Sequence, residues 1–249
     1  HAGVALSSVS RVMSGHSDVS PDMKDRVEKS ILALGYEPDF MAQSLRSGKT
    51  RTIGFIIRDI SNPFYALVAR SCEQELRRNG YSMILTNSDG SVETEFKNFA
   101  LLRRRRVDGV IASLVAEDAP IVRKTINSLK APVVLLDREM KGLNASAVLT
   151  DHYSGVLAAT SHLITNGHRD IAFISGSENV YTTRDRLRGF KKAFAEAGLP
   201  ISEKWLALGG FDADYAFSHT RNLMTHNPSP TALITGGIAS TSGALRALS

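Results

Sequence analysis

The stretch Leu6-Ser7-Ser8-Val9-Ser10-Arg11-Val12-Met13 sorts two chemistries onto opposite faces of a helix. Val9, Val12 and Met13 recur at the i, i+3, i+4 spacing of an apolar stripe. The other face carries Leu6, Ser7, Ser8, Ser10 and Arg11. Short hydroxyls bond phosphates or base edges, and a guanidinium can grip guanine O6 and N7, so this face suits a DNA groove. The same spacing also fits a small helical cap. Gly3 stands just ahead of the helix, where a tight turn calls for positive φ. Charge is nearly balanced over residues 1–51 and does not by itself favour nucleic acid.

Chemistry of other kinds finds little support. No G-x-G-x-x-G follows a strand, and no G-x-x-x-x-G-K-[ST] or G-x-S-x-G occurs. Gly209-Gly210 and Gly236-Gly237 are too short for phosphate loops, and His162 and His168 lack metal-ligand spacing with Cys72. The reading is therefore of a binding protein, not an enzyme, with no cofactor and no metal.

Three zones must position these residues. In residues 1–36, Ser20-Pro21-Asp22 opens a second helix: Ser20 caps it, Pro21 fits its first turn and Asp22 complements its dipole. Val27, Ile31 and Leu34 are read as its buried stripe, and Gly35 as its stop. Residues 37–51 form a polar connector. From Thr52 onward, β-rich runs at Thr52–Ile57, Ser82–Thr86, Val107–Ser113 and Pro132–Asp137 alternate with helix-period segments. Between the first two runs, Phe64, Leu67, Val68, Cys72 and Leu76 are read as one stripe. A second series runs through Ala147–Thr150, Ile171–Gly176, Trp205–Leu208 and Thr231–Thr235. Such alternation predicts an α/β architecture with two lobes, each a parallel sheet covered on both faces, and a crossover near Asp151. The run Arg103–Arg106 reads as a solvated helix end. The chain has 249 residues, 43% hydrophobic and 22% charged, with a formal net charge of +5, an ordinary globular balance. No run reaches membrane-span length, no export signal is visible and Cys72 stands alone, so the chain is read as cytoplasmic with no membrane partner.

Ordered motifs over nearly the whole chain carry a resemblance. They are Gly3-Val4-x₄-Val9-Ser10-Arg11-Val12, Val19-Ser20, Leu34-Gly35-Tyr36-x-Pro38, Ala42-x₂-Leu45 and Thr52-Ile53-Gly54. They continue through Asp59-Ile60-Ser61-Asn62-Pro63-Phe64-Tyr65, Val107-Asp108-Gly109-Val110-Ile111, His162-Leu163-x₃-Gly167-His168, Arg186-x₂-Gly189-Phe190 and Pro230-Thr231-Ala232. This pattern resembles the lactose-repressor (LacI/GalR) family of bacterial regulators.

The resemblance implies a helix-turn-helix headpiece over 1–36, a hinge helix and linker over 37–51, and a periplasmic-binding-protein-like core with lobes at 52–150 and 151–249. It implies that most of the first headpiece helix would precede His1 and that the second lobe is truncated. The reading helix would be Leu6–Ser14, with Leu6, Ser7 and Arg11 toward bases and Ser8 and Ser10 toward phosphates. Ala42 and Leu45 would contact the minor groove, Leu45 as a wedge between bases. An effector would sit between the lobes at the carboxyl ends of strands. Ile60, Ser61, Asn62 and Phe64 follow the first strand, Asn87 and Asp89 the second, and Asp137 and Arg138 the fourth. Arg186 matches the family's ligand-gripping arginine, and Phe211 lies near its aromatic platform. Ala5 and Asp39 depart from the family's usual helix caps. Gly237 and Ile238 stand where an Asn-Asp pair commonly holds a sugar hydroxyl, which points toward a less typical sugar, a sugar acid or a phosphorylated metabolite. The function implied is a homodimeric repressor on a pseudo-palindromic double-stranded operator, controlled by a small carbohydrate-like effector. The rival is the solute-binding protein of a sugar transporter, which explains the lobes but not residues 1–51.

Overall fold

The computed structural model describes residues 1–13, 15–36 and 47–249. Ala42 and Leu45, assigned above to the minor groove, and Asp39 lie outside the described residues. The chain divides into two compact units, His1–Thr50 and Arg51–Ser249.

The first unit holds α1 (Leu6–Met13) and α2 (Pro21–Leu34). Gly3 takes φ +63°, and the Arg26 guanidinium on α2 donates to the carbonyls of Ala2 at 2.8 Å and Gly3 at 3.2 Å. A side chain at Gly3 would meet both the left-handed backbone penalty and that arginine. Ser20 caps α2 by accepting the Met23 N–H at 3.3 Å, and Gly35 closes it in the left-handed region. Val27 is 1% exposed and Ile31 half-buried, but Leu34 is 62% exposed. The expected stripe therefore ends early. Helix α2 buries only Val27 and Ser30 among its residues, so its C-terminal turn stays exposed.

In the second unit, β1 (Thr52–Ile57), β2 (Ser82–Asn87), β3 (Gly109–Ala112), β4 (Val133–Leu136) and β5 (Ser146–Val148) form a parallel sheet of order β2-β1-β3-β4-β5. Helices α3 (Pro63–Arg78), α4 (Val92–Arg104) and α5 (Pro120–Asn127) accompany it. Phe55 and Ile57 point to α3, with Tyr65 and Ala69 against them, while Ile56, Val110 and Ala112 point to Phe99, Leu102, Val122 and Ile126 of α4 and α5. Alternate strand residues thus feed opposite core layers.

Two expectations fail here. Leu67 is 64% exposed, not part of the α3 stripe. At roughly 100° per residue it lies about 140° around the helix from Cys72, so it faces away from the sheet. The run Ala147–Thr150, grouped with the second series, instead supplies β5, which pairs with β4. The chain returns from β4 with no intervening helix among the described residues. All three β5 residues are exposed, as an uncovered edge strand allows.

The second sheet is β6 (Ile171–Gly176), β7 (Leu206–Gly209) and β8 (Ala232–Thr235), parallel and ordered β7-β6-β8. Helices α6 (His152–Thr165) and α7 (Tyr181–Glu196) pack on Phe173 through Ile164, Leu187, Phe190 and Phe194. Helix α8 (Ala213–Met224) covers Ala172 and Ile174, and α9 (Ile238–Leu248) follows β8. Where α6 and α7 meet, Gly189 lies directly against the Tyr153 carbonyl and the Leu157 N–H, a contact that leaves no room for Cβ.

Candidate functional site

Helix α1 presents Leu6, Ser7, Ser10 and Arg11 to solvent, with Ser8 half-buried, and leaves Val9, Val12 and Met13 on the more covered side. Leu6 is 85% exposed, far more than packing would leave a leucine. The first turn forms through the Ala5 carbonyl, which accepts the Ser8 N–H at 2.9 Å and the Val9 N–H at 3.1 Å. Ala5 has no side-chain oxygen to cap those first N–H groups.

In the second unit, a cavity of about 490 Å³ opens between the two sheets. Parallel β-α connections bring their strand ends to one side, so the cavity collects residues following β1, β2, β4, β6, β7 and β8. Of the residues singled out in the sequence, Asn62, Phe64, Asp89, Asp137, Arg138, Arg186 and Phe211 line it. Ile60, Ser61 and Asn87 do not. Asn87 Oδ1 accepts the Ile60 N–H at 3.1 Å, and Ser61 donates through N–H and hydroxyl to Asp59 Oδ1 at 2.9 and 2.6 Å. Those three shape the β1–α3 loop, with the Ile60 side chain 55% exposed. Asn62 caps α3, accepting the Phe64 N–H at 3.0 Å, and so places Phe64 at the cavity wall.

Asp137, at φ +52°, accepts His152 Nε2 at 2.9 Å and the Thr150 N–H at 3.2 Å. Burial alone would raise its carboxyl. The His152 bond and charge, the Thr150 N–H and nearby Arg138 outweigh burial and hold it below the ordinary value. Arg138 is committed to the fold: Nε donates to the Leu114 carbonyl at 2.9 Å and Nη1 to the Asp137 carbonyl at 2.7 Å. Glu117, on the loop after β3, accepts the Tyr181 N–H at 2.8 Å and Arg184 Nη2 at 2.7 Å. That buried carboxylate joins the first sheet's loops to the start of α7.

Arg186, from the second turn of α7, lines the cavity. Burial lowers its pKa, the pull of Asp137 opposes this, and Arg138 adds to the lowering. The Phe211 ring lies against the backbone of Gly176 at the end of β6, and a Cβ there would fall inside the ring. The Arg58 guanidinium, just past β1, sits 5.2 Å from the centre of that ring. This cation–ring contact joins the end of β1 in one sheet to the loop after β7 in the other.

Sequence reasoning missed Arg58, Tyr65, Thr150, His152, Thr182 and Asp212, all of which line the cavity. Arg58 and Asp212 were within reach of the strand-end rule, since each immediately follows a strand or its short loop. His152 and Thr182 become visible only once the sheets are placed together. Gly237 and Ile238 do line the cavity. Among the described residues no cluster has the make-up of a metal centre.

Comparison with known proteins agrees with this arrangement. Residues 50–249 match the family described as periplasmic binding proteins and sugar binding domain of LacI family, and residues 1–39 match bacterial regulatory proteins, lacI family. The HTH-type transcriptional repressor PurR of Actinobacillus pleuropneumoniae serotype 5b (strain L20) is 32% identical over 248 residues, covering 100% of this chain and 74% of that protein. Catabolite control protein A of Priestia megaterium is 33% identical over 239 residues, covering 94% of this chain and 71% of that protein. Among solved structures, the lac repressor dimer bound to operator and the anti-inducer ONPF superposes with a TM-score of 0.81 at 25% identity, covering 99% of this chain and 74% of that one. The CelR–cellobiose complex gives a TM-score of 0.72 at 28% identity, covering 99% and 75%. A helix with a polar exposed face, two parallel sheets around a polar cleft and these matches converge, and the chain belongs to the LacI family of bacterial regulatory proteins.

Proposed function

We propose that α1 reads operator DNA and that the cleft between the sheets holds the effector that controls this reading. The chain is a DNA-binding transcriptional regulator of the LacI family, and its relatives are regulators. It acts as a dimer on a pseudo-palindromic operator, with Leu6, Ser7 and Arg11 at base edges and Ser8 and Ser10 at phosphates. Ala42 and Leu45 are assigned to the minor groove of the same operator. The chain works in the cytoplasm, where its DNA is, and catalyses no reaction; among the described residues no helix is long and apolar enough to cross a membrane. The observation that carries the reading is the pairing of an exposed polar α1 face with a lined cleft of about 490 Å³ in one chain. A transport protein has use for the cleft but not for α1.

The effector acts by preferring one arrangement of the core, because a ligand of equal affinity for both would shift nothing. Arg186 offers a planar fork that can hold two ligand oxygens at once. Arg186→Ala is expected to lower effector affinity by about ten-fold or more while operator affinity without effector stays near wild type. Operator titrations with and without an effector found by thermal-shift screening test this. Wild-type response in Arg186→Ala would remove the cleft assignment, and loss of operator binding altogether would make Arg186 a structural residue.

A further inference from the structure

Charge pairing within the cleft is uneven, and the unevenness has chemical content. Four carboxylates line the cavity, and most are engaged by the protein's own donors. Asp59 takes Ser61, Asp137 takes His152 and Thr150, and Asp212 caps α8 by accepting the Tyr215 N–H at 2.7 Å. Asp89 sits exposed at the rim. The guanidiniums are treated differently. Arg138 is consumed by carbonyls, but among the described residues Arg58 and Arg186 have no hydrogen-bond or ion-pair partner. Arg58 lines the cavity with its guanidinium 5.2 Å from the centre of the Phe211 ring, while Asp59 and Asp212 act on it through charge alone, without a hydrogen bond or ion pair.

A half-buried guanidinium without an acceptor is costly unless something supplies one. Burial lowers the pKa of Arg58 and the like charge of Arg138 lowers it further, against the opposing pull of Tyr65, Asp59 and Asp212, so on balance its environment disfavours the cation it carries. The cation–π contact with Phe211 holds the guanidinium at the cavity wall, and a guanidinium fork is suited to bidentate contact with paired oxygens. The opposite wall fits the same demand. Gly236, Gly237 and Ile238 bring the start of α9 to the cavity with no side-chain cap, and Gly237 has open space where a side chain would stand. The positive end of a helix thus replaces the carboxylate expected there from the resemblance.

We infer that the effector is an anionic sugar derivative, a sugar phosphate or sugar acid, whose charged group is held by Arg58 together with Arg186. This rests on the cleft being the effector site, and it names Arg58 as the residue that selects charged over neutral ligands. Neutral sugars offer hydroxyls, which cannot neutralise two desolvated cations. A phosphate or carboxylate offers paired oxygens that a guanidinium fork matches.

The test is isothermal titration and thermal shift of the full chain with matched probes. The set comprises hexose and pentose monophosphates, gluconate, glucuronate, the neutral parent sugars and inorganic phosphate. At least one charged sugar should bind about ten-fold or more tightly than its neutral parent. Arg58→Gln should shrink that ratio toward unity, and Arg58→Lys, which keeps the charge but loses the fork, should fall between. Inorganic phosphate should compete with the charged sugar in wild type and lose that ability in Arg58→Gln. Binding of neutral sugars only, with Arg58→Gln unchanged, overturns the inference and leaves the cleft reading standing. Charged sugars that bind both Arg58→Gln and Arg186→Ala like wild type would place the site elsewhere and overturn both. Absence of binding by every charged probe also overturns the inference.

Discussion

Glu95 is fully buried on α4, where Oε1 accepts the Val115 N–H at 2.8 Å and Oε2 has no partner among the described residues. Burial pushes its pKa up to about 7, against the Val115 bond and the charge of Arg138, which pull it down. Between its ordinary value and about 7 the folded chain keeps a proton that the unfolded chain has lost, so stability falls as pH rises through that window. Glu95→Gln keeps an acceptor for Val115 and removes the titration. Relative to wild type it should gain up to about 3 kcal/mol between pH of about 5 and about 8, measured by denaturant melts at both ends. Equal pH slopes for the two proteins would refute this. At the DNA face, Arg11→Ala should cost about 1–3 kcal/mol on the best operator and relax preference at one base pair per half-site. Uniform weakening on every DNA sequence would instead assign Arg11 to phosphate. The Arg11 face was legible because helical spacing separates Ser7, Ser10 and Arg11 from Val9 and Val12 within a single turn or two. Glu95 was not, because its burial depends on β3 and the loop carrying Val115, which sequence spacing does not bring near α4.

Helix pairing sets the next prediction. Gly189 on α7 touches the backbone of α6 at Tyr153 and Leu157, so an added methyl cannot be absorbed by a rotating side chain. Gly189→Ala should destabilise the core by about 1–3 kcal/mol. Gly155 on α6 is exposed with open space where a Cβ would stand, and Gly155→Ala should be neutral or slightly stabilising. Thermal melts of the pair separate the close helix contact from general loss of glycine flexibility; equal melting temperatures would show that α6 and α7 yield. Most elements follow from local rules: Ser20 and Asn62 cap helices, prolines open α2, α3 and α5, and apolar runs give β1, β6 and their neighbours. The failures have local causes. Leu67 fell on the wrong helix face when the spacing was followed without counting its angle. Leu34 lies on the face of Val27 but at the last turn of α2, where it is 62% exposed. β5 could not be assigned to its sheet because an edge strand of three exposed residues carries no burial pattern.

At the scale of the whole molecule, reading and sensing are linked by one free energy. If the effector changes operator affinity by some factor, roughly 5- to 150-fold for ordinary couplings, the operator must change effector affinity by the same factor. Effector titrations with and without saturating operator should return that factor; a mismatch would mean that a second effector site or a change of assembly contributes. The two-sheet architecture and the strand-end side on which the cavity opens were legible from β-α alternation, whereas the charge economy of the cleft was not, since it depends on which acids are already occupied. The contact of Phe211 with Gly176 carries a consequence for descent. A methyl at position 176 would evict the ring, and the evicted ring would withdraw the surface on which Arg58 lies. Positions 176, 211 and 58 come from three separate strand ends, yet they cannot drift independently. In related chains a side chain at 176 should appear with a smaller residue at 211, and where the ring is lost, the arginine at 58 should be free to disappear with it.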